Sequence, residues 1–212
     1  MEGWHTRVGI CLVGGWLPVK HDPEYKLQRR VAGFHDIRMD GLTDLVMRAK
    51  GASVFDIGCN RGLVSFEMAN NGAAICHGCD SFEQGIRTAK ELFIDLRAVQ
   101  SHFAVLDLTG GAEVVANEFG ATNYDIVLCL AIYHKLKRVM PGDKLAALFL
   151  QFGQRTKRYF GWRGPADRQE NEEEIAQIDR LMEEAGLQRI HTSYISEQLG
   201  AAAIWRRDKA LA

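Results

Sequence analysis

Proline is scarce in this chain, with 4 among 212 residues, and no apolar run approaches the roughly 20 residues that a helix needs to cross a bilayer. Proline-rich linkers and a membrane span are therefore excluded. An excess of charge of one sign is also lacking: 26 Lys and Arg stand against 27 Asp and Glu, a formal net charge of -1. A protein devoted to holding a long nucleic acid usually carries a basic surplus, because each phosphate contact needs a cation. The balance here speaks against that class, though it leaves room for a local patch. Only 5 cysteines are present, an odd number that does not suit a disulfide framework in a chain of this size. Cys76 and Cys79 form a CxxC, but they fall in an expected strand, where a spacing of three sends side chains to opposite faces. Buried free thiols in a reducing compartment, the cytoplasm, are the expectation, and no metal is expected.

What remains is ordinary globular usage, with 47% hydrophobic and 25% charged residues, sufficient for one core with decorations. The apolar stretch VGICLVGGWLPV, from Val8 to Val19, has a weakly basic flank and no small-residue cleavage site after it, so it is expected to stay in the mature protein. Residues 1–50 show no clean period apart from a short helix in which Leu42, Leu45, Val46 and Ala49 share a face and Gly51 ends the run. They are expected to form an extension, a cap for substrate recognition, over a domain spanning 51–212.

From Ser53 onward, strand and helix patterns alternate. SVFDI, AAICHGCD, HFAVLDL and NYDIVLCL read as strands, separated by GLVSFEMANNG, EQGIRTAKELFIDL and AEVVANEFG as helices. Helical spacing of Leu145, Leu148, Phe149 and Phe152 places a helix over Lys144 to Gln154, before a fifth strand over Lys157 to Trp162. NEEEIAQIDRLMEEAG is the clearest helix, with acids at its start and Gly186 at its stop. LQRIHTSYI and GAAAIWRR complete seven strands. Such alternation predicts an α/β fold, a mostly parallel sheet with helices on both faces and an antiparallel last strand.

Open parallel sheets bind ligands at the C-terminal ends of their strands. After the first strand comes FDIGCNRG. Gly58 and Gly62 permit a tight turn and close approach of a ligand to the backbone. Asn60 stands where a dinucleotide fingerprint wants its second glycine, and no Walker-type lysine follows. Asp56 would repel a pyrophosphate but attract an ammonium or sulfonium group. Asp80, 24 residues later and at the second strand end, suits ribose hydroxyls. Asp107 can accept from an adenine amine, with Leu108 as an apolar wall. A cationic amino-acid moiety, a ribose and a purine together describe S-adenosylmethionine.

On these residues the chain resembles the class I, seven-stranded S-adenosylmethionine-dependent methyltransferases, with a Rossmann-like domain. FDIGCNRG is similar to the family's first motif, an acid followed by GxGxG, with Asn60 in place of the middle glycine. Asp80 matches the second-strand acid, Leu106 and Asp107 the third-strand pair, and NYDIVLCLAIYH the fourth-strand segment that lies against methionine and substrate. The resemblance spans about Ser53 to Trp205. It implies S-adenosylmethionine binding by Asp56, Gly58, Asn60, Gly62, Asp80, Phe82, Asp107, Leu108 and Leu130.

Plainer roles stand beside these. The glycines can serve only a turn, Asp80 and Asp107 can be loop acids or helix caps, and Phe82 can be a core aromatic rather than an adenine cover. His134 is the candidate general base, because its pKa lies near neutrality and it follows a ligand-facing strand, or it braces Tyr133 or a carbonyl. Tyr133 orients the acceptor or packs over methionine. Arg163, with Arg29 and Arg30, could neutralise an anionic acceptor or lie on the surface. The expected activity is methyl transfer to an oxygen or nitrogen of a small-molecule or glycan-like acceptor. The alternatives are an RNA methyltransferase using Arg29, Arg30, Arg155, Lys157 and Arg158 as a phosphate track, and a non-catalytic cofactor-binding or scaffolding protein. The absence of an NPPY or DPPY motif after the fourth strand disfavours methylation of base amino groups.

Overall fold

The structure, a computed structural model, describes residues 10–12, 15–17, 39, 41–165, 167–196 and 200–207. Seven strands form one sheet in the order β5-β4-β3-β6-β7-β9-β8: β3 Ser53–Ile57, β4 Ile75–Asp80, β5 Gln100–Val105, β6 Tyr124–Leu130, β7 Thr156–Arg163, β8 Leu187–Ser196 and β9 Gly200–Arg207. The pairings from β5 through to β7 are parallel, and β9 runs antiparallel to both β7 and β8. A separate antiparallel ribbon pairs β1 Ile10–Leu12 with β2 Gly15–Leu17, within the apolar N-terminal stretch where no strands were expected.

The helices divide between the two faces. α1 Thr43–Met47, α2 Leu63–Asn70 and α3 Glu83–Phe93 cover one face, packing Leu42, Leu45, Phe66, Ile86 and Phe93 against Val54, Ile126 and Ile204. α4 Ala112–Phe119, α5 Tyr133–Lys137, α6 Gly142–Gln154 and α7 Arg168–Glu184 cover the other, burying Val115, Leu148, Phe149 and Ile178 against Phe55, Phe160, Trp162 and Trp205. Strand alternation explains the division, since Val54 points to one core and Phe55 and Ile57 to the other, while all five residues of β3 are buried. Met39 and Leu42 are wholly buried in the first layer, so the body of the fold already includes residues assigned to the extension.

The chain winds outward from β3 through β4 to β5, then returns to β6 on the other side of β3. The order therefore reverses between β3 and β6, and a crevice opens at their C-terminal ends. Cys76 and Cys79 fall in opposite cores, as a spacing of three along β4 requires. Cys59, Cys76, Cys79 and Cys129 are free and buried. Burial pushes the Cys79 thiol up to about 12, which leaves it an unreactive, apolar filler. Among the described residues, no helix is long and apolar enough to cross a membrane.

Candidate active site

The crevice is built around the turn from β3 to α2. Gly58, Asn60 and Gly62 all take left-handed backbone conformations, with φ of 73°, 51° and 70°. A Cβ on Gly58 would overlap the Ile132 side chain, and one on Gly62 would stand 2.7 Å from the Cβ of Ala89. Both glycines are thus demanded by space as well as by φ. Asn60 occupies the position of the missing middle glycine and keeps its backbone geometry, because asparagine tolerates the left-handed region better than most residues. The amides of Gly58 and Cys59 both donate to the Cys79 carbonyl, at 2.8 and 3.0 Å, which fastens the turn to the end of β4.

Asp80 completes that fastening. One carboxylate oxygen accepts from the Asn60 amide and the other from the Phe82 amide, each at 2.9 Å. A carboxylate offers about four lone-pair positions, so two are left for hydroxyl donors. Beside it Phe82 is 43% exposed, an unusual state for a large aromatic that would otherwise fill a core. Asp107 follows on the next strand, exposed, its Oδ1 accepting from the Thr109 amide at 2.9 Å. Backbone and side-chain hydrogen bonds from Thr109 hold its carboxyl below the usual range. Leu106 joins the two acids by donating its amide to the Asp80 carbonyl at 2.9 Å. Leu108 and Leu130 are 6% and 7% exposed, so most of each side chain belongs to the core.

Asp56 is more buried than the other acids of the strand ends. It is 2% exposed and accepts a hydrogen bond from the Ser65 hydroxyl at 2.8 Å. As the fourth residue of β3 it lies beneath α2 rather than at the strand tip. Through that bond it braces the helix that follows the turn.

Across the crevice β6 ends at Leu130, and Ala131 adopts φ 58° while donating its amide to the Arg163 carbonyl at 2.9 Å. Alanine in the left-handed region is strained, and strain of this kind clusters at ligand-binding turns. The next residue, Ile132, is the one that Gly58 touches. Tyr133 points away from the crevice: it is 4% exposed, its ring packs edge-on to Phe149 at 4.7 Å, and its hydroxyl donates to Gln177 Oε1 at 2.8 Å. Burial pushes its phenol up to about 12. The expectation that Tyr133 orients the acceptor is corrected by this commitment to the α6–α7 core. His134 is 8% exposed, and its buried Nδ1 has no hydrogen-bond partner. Burial lowers its pKa, helped by Lys135 and Arg138 and opposed by Glu170, so the imidazole is neutral at physiological pH.

Arg163 closes β7 at the same edge of the sheet, 3% exposed, on the face opposite Trp162. Arg29 and Arg30 lie outside the described residues. Arg155, Lys157 and Arg158 sit at the start of β7, the edge of the parallel sheet remote from the crevice. Arg155 is moreover spent on the carbonyls of Thr122 and Gly120, at 3.1 and 2.6 Å. The phosphate track drawn through these three residues therefore does not border the site. Cations that do stand on the crevice edge, Lys135, Lys137 and Arg138, come from the short helix α5 and its C-cap, which sequence patterning missed because only Tyr133 and Leu136 there are apolar. Ser65 was missed as well, since a serine within a wholly buried helix leaves no mark in the apolar pattern.

No family model matches this sequence, and no curated protein matches it. Solved structures do. Magnesium protoporphyrin IX methyltransferase from Synechocystis PCC 6803 with bound S-adenosylmethionine superposes with a TM-score of 0.58 at 19% identity, over 88% of this chain and 92% of that one. An S-adenosylmethionine-dependent methyltransferase from Mesorhizobium loti gives 0.58 at 14% identity, over 81% and 98%. An N-methyltransferase from Bradyrhizobium japonicum WM9 gives 0.56 at 11% identity, over 81% and 97%. With its strand order, its antiparallel β9 and these likenesses, the chain has the seven-stranded fold of class I S-adenosylmethionine-dependent methyltransferases.

Proposed function

We propose that this chain transfers a methyl group from S-adenosylmethionine to an oxygen or nitrogen of a small-molecule or glycan-like acceptor. The observation that carries the reading is Asp80, whose two oxygens tie the left-handed turn at Asn60 to the tip of β4 and still have lone pairs directed to a ligand's hydroxyls. Around it, exposed Phe82 offers a face for a purine and Asp107 an acceptor for its amine. Gly58, Asn60 and Gly62 bring backbone amides of the α2 N-terminus within reach of a ligand carboxylate. Leu130 and Leu108 border the crevice with apolar edges. The presence of S-adenosylmethionine in the Synechocystis enzyme, which shares the fold over nearly its full length, supports the same choice of donor.

When bound, the donor supplies a sulfonium-borne methyl group for in-line displacement. The chain's own residues then have two tasks. The strand-end turn fixes the donor, and the end of β6 together with His134 positions the acceptor. His134, neutral and with Nδ1 unpartnered, can take the proton that an oxygen or nitrogen acceptor releases. Lys135, Lys137 and Arg138 at the same rim favour an acceptor with negative charge, a phosphorylated sugar or the backbone of RNA alike.

Incubation with methyl-labelled S-adenosylmethionine and a panel of hydroxyl and amine acceptors tests the reading. Label should pass to at least one acceptor class, with a rate that rises with pH through a midpoint below 6.5 and falls about a hundredfold or more in His134→Ala, the usual scale for loss of a general base. Transfer of label also rules out a purely scaffolding role. An unaltered pH profile in His134→Ala would remove the base assignment.

A further inference from the structure

On the face of the sheet covered by α7, several polar atoms are buried without partners. Glu174 is 0% exposed and neither carboxylate oxygen has a hydrogen-bond partner. Asn171, 1% exposed and one turn earlier on the same helix face, donates its Nδ2 to the Pro165 carbonyl at 2.9 Å while its Oδ1 is unpartnered. Trp162, 0% exposed at the end of β7, has an unpartnered indole Nε1. Two of these groups converge. A Cβ on Gly164 would run into both Asn171 Oδ1 and the Trp162 ring, so the two side chains meet across that glycine. Glu174 acts electrostatically on Cys129 and Tyr133, which places it over the end of β6.

A native fold satisfies its buried polar atoms, and the exceptions call for an occupant. We infer that Glu174, Asn171 and Trp162 form an acceptor subsite that receives the hydroxyl or ammonium hydrogens of the molecule to be methylated. The inference rests on the methyltransferase reading and deepens it by naming the substrate's chemistry. Above about pH 7, where Glu174 is ionised, three of the unpartnered atoms, Glu174 Oε1 and Oε2 and Asn171 Oδ1, accept hydrogen bonds, and one, Trp162 Nε1, donates. An occupant rich in hydrogen-bond donors with at least one lone pair fits them: a polyol, a sugar or an amino alcohol. A carboxylate or phosphate group does not, because Glu174 would repel it. The subsite lies at the ends of β6 and β7, and β6 neighbours the strand that leads into the Asp80-bound turn. Its rim carries the Arg138–Glu170 ion pair at 3.6 Å, with Arg138 66% exposed, and Lys137 also acts on Glu174. Anionic parts of the same acceptor are met by those cations, outside the subsite.

Indole NMR decides the matter. In the full chain saturated with S-adenosylmethionine, the Trp162 Nε1–H resonance is identified by its loss in Trp162→Phe. Glucosamine is then titrated, with glucose and cyclohexylamine as separate arms that distinguish hydroxyl from ammonium recognition. At least one probe should move the Trp162 signal saturably. Glu174→Gln, which keeps size and shape, should weaken that response at least tenfold with donor affinity unchanged within twofold; if this variant does not fold, Asn171→Ala gives the same comparison. A Trp162 signal unmoved by all three probes, or equal affinity in the variant, overturns the inference while a bound donor leaves the methyltransferase reading standing. Failure of S-adenosylmethionine itself to bind overturns both.

Discussion

Asp80 and Glu174 carry the same functional group in opposite surroundings. Asp80 receives two backbone amides at 2.9 Å, whereas Glu174 lies fully buried with neither oxygen bonded. Burial, followed by the like charge of Glu170, raises the Glu174 carboxyl from 4.5 to about 7, against the opposing pull of Lys137 and Arg138. A carboxyl whose folded pKa lies above its unfolded one favours the fold fully below pH 4.5. That contribution is lost as pH rises from 4.5 through about 7 and is gone above it. The shift corresponds to a loss of the order of 3 kcal/mol. Glu174→Gln removes the titration, so chemical denaturation should find the variant more stable than the native protein at pH 8, with the advantage shrinking toward pH 4.5. A stability difference independent of pH would show that Glu174 is not titrating in the fold. The acids at the strand tips could be named from the sequence because strand ends and loops are visible in the hydropathy pattern. Glu174 could not, being one glutamate in the run NEEEI, where only the helix's rotation against the sheet decides which carboxylate turns inward.

The turn between β3 and α2 and the start of α5 form a single mechanical unit. Gly58 needs its left-handed backbone, and its missing Cβ makes room for Ile132 directly after the strained Ala131. Gly58→Ala should cost about 2 kcal/mol or more, from αL strain plus overpacking, and should loosen donor binding. Ile132→Ala in the same chain should recover the overpacking part but not the strain. Thermal denaturation of the single and double variants measures both, and simple additivity of their effects would contradict the contact. The regular strands and long helices were legible because a buried parallel strand is a continuous apolar run and an amphipathic helix keeps its period. Some elements escaped: α5 has only Tyr133 and Leu136 to mark an apolar face, and the 3₁₀ turn Leu108–Gly110 and the strands of the β1–β2 ribbon, three residues each, are too brief to show a repeat. The burial of Asp56 and Tyr133 escaped for another reason. Sequence order places a residue near a strand end, but only the pleat and the helix rotation decide whether its side chain faces the crevice or the core.

At the scale of the whole molecule, parallel strands give the sheet two unlike edges. The C-terminal edge collects the left-handed turn, Asp80, Phe82, Asp107 and His134, and the N-terminal edge collects Arg155, Lys157 and Arg158. Such groups gather at the C-terminal edge because the turns there follow strands and precede helices, leaving amides and carboxylates unspent by the ladder. The doubly wound order, with three helices on one face and four on the other, puts both hydrophobic cores behind that edge and keeps the turn rigid. The central claim is that this edge holds S-adenosylmethionine through Asp80. Isothermal titration of the donor into the full chain and into folded Asp80→Ala tests it most directly. The account predicts saturable one-to-one binding that weakens at least about tenfold in the variant, a difference of about 1.4 kcal/mol. Equal affinity in the two proteins, or no binding in either, would contradict it.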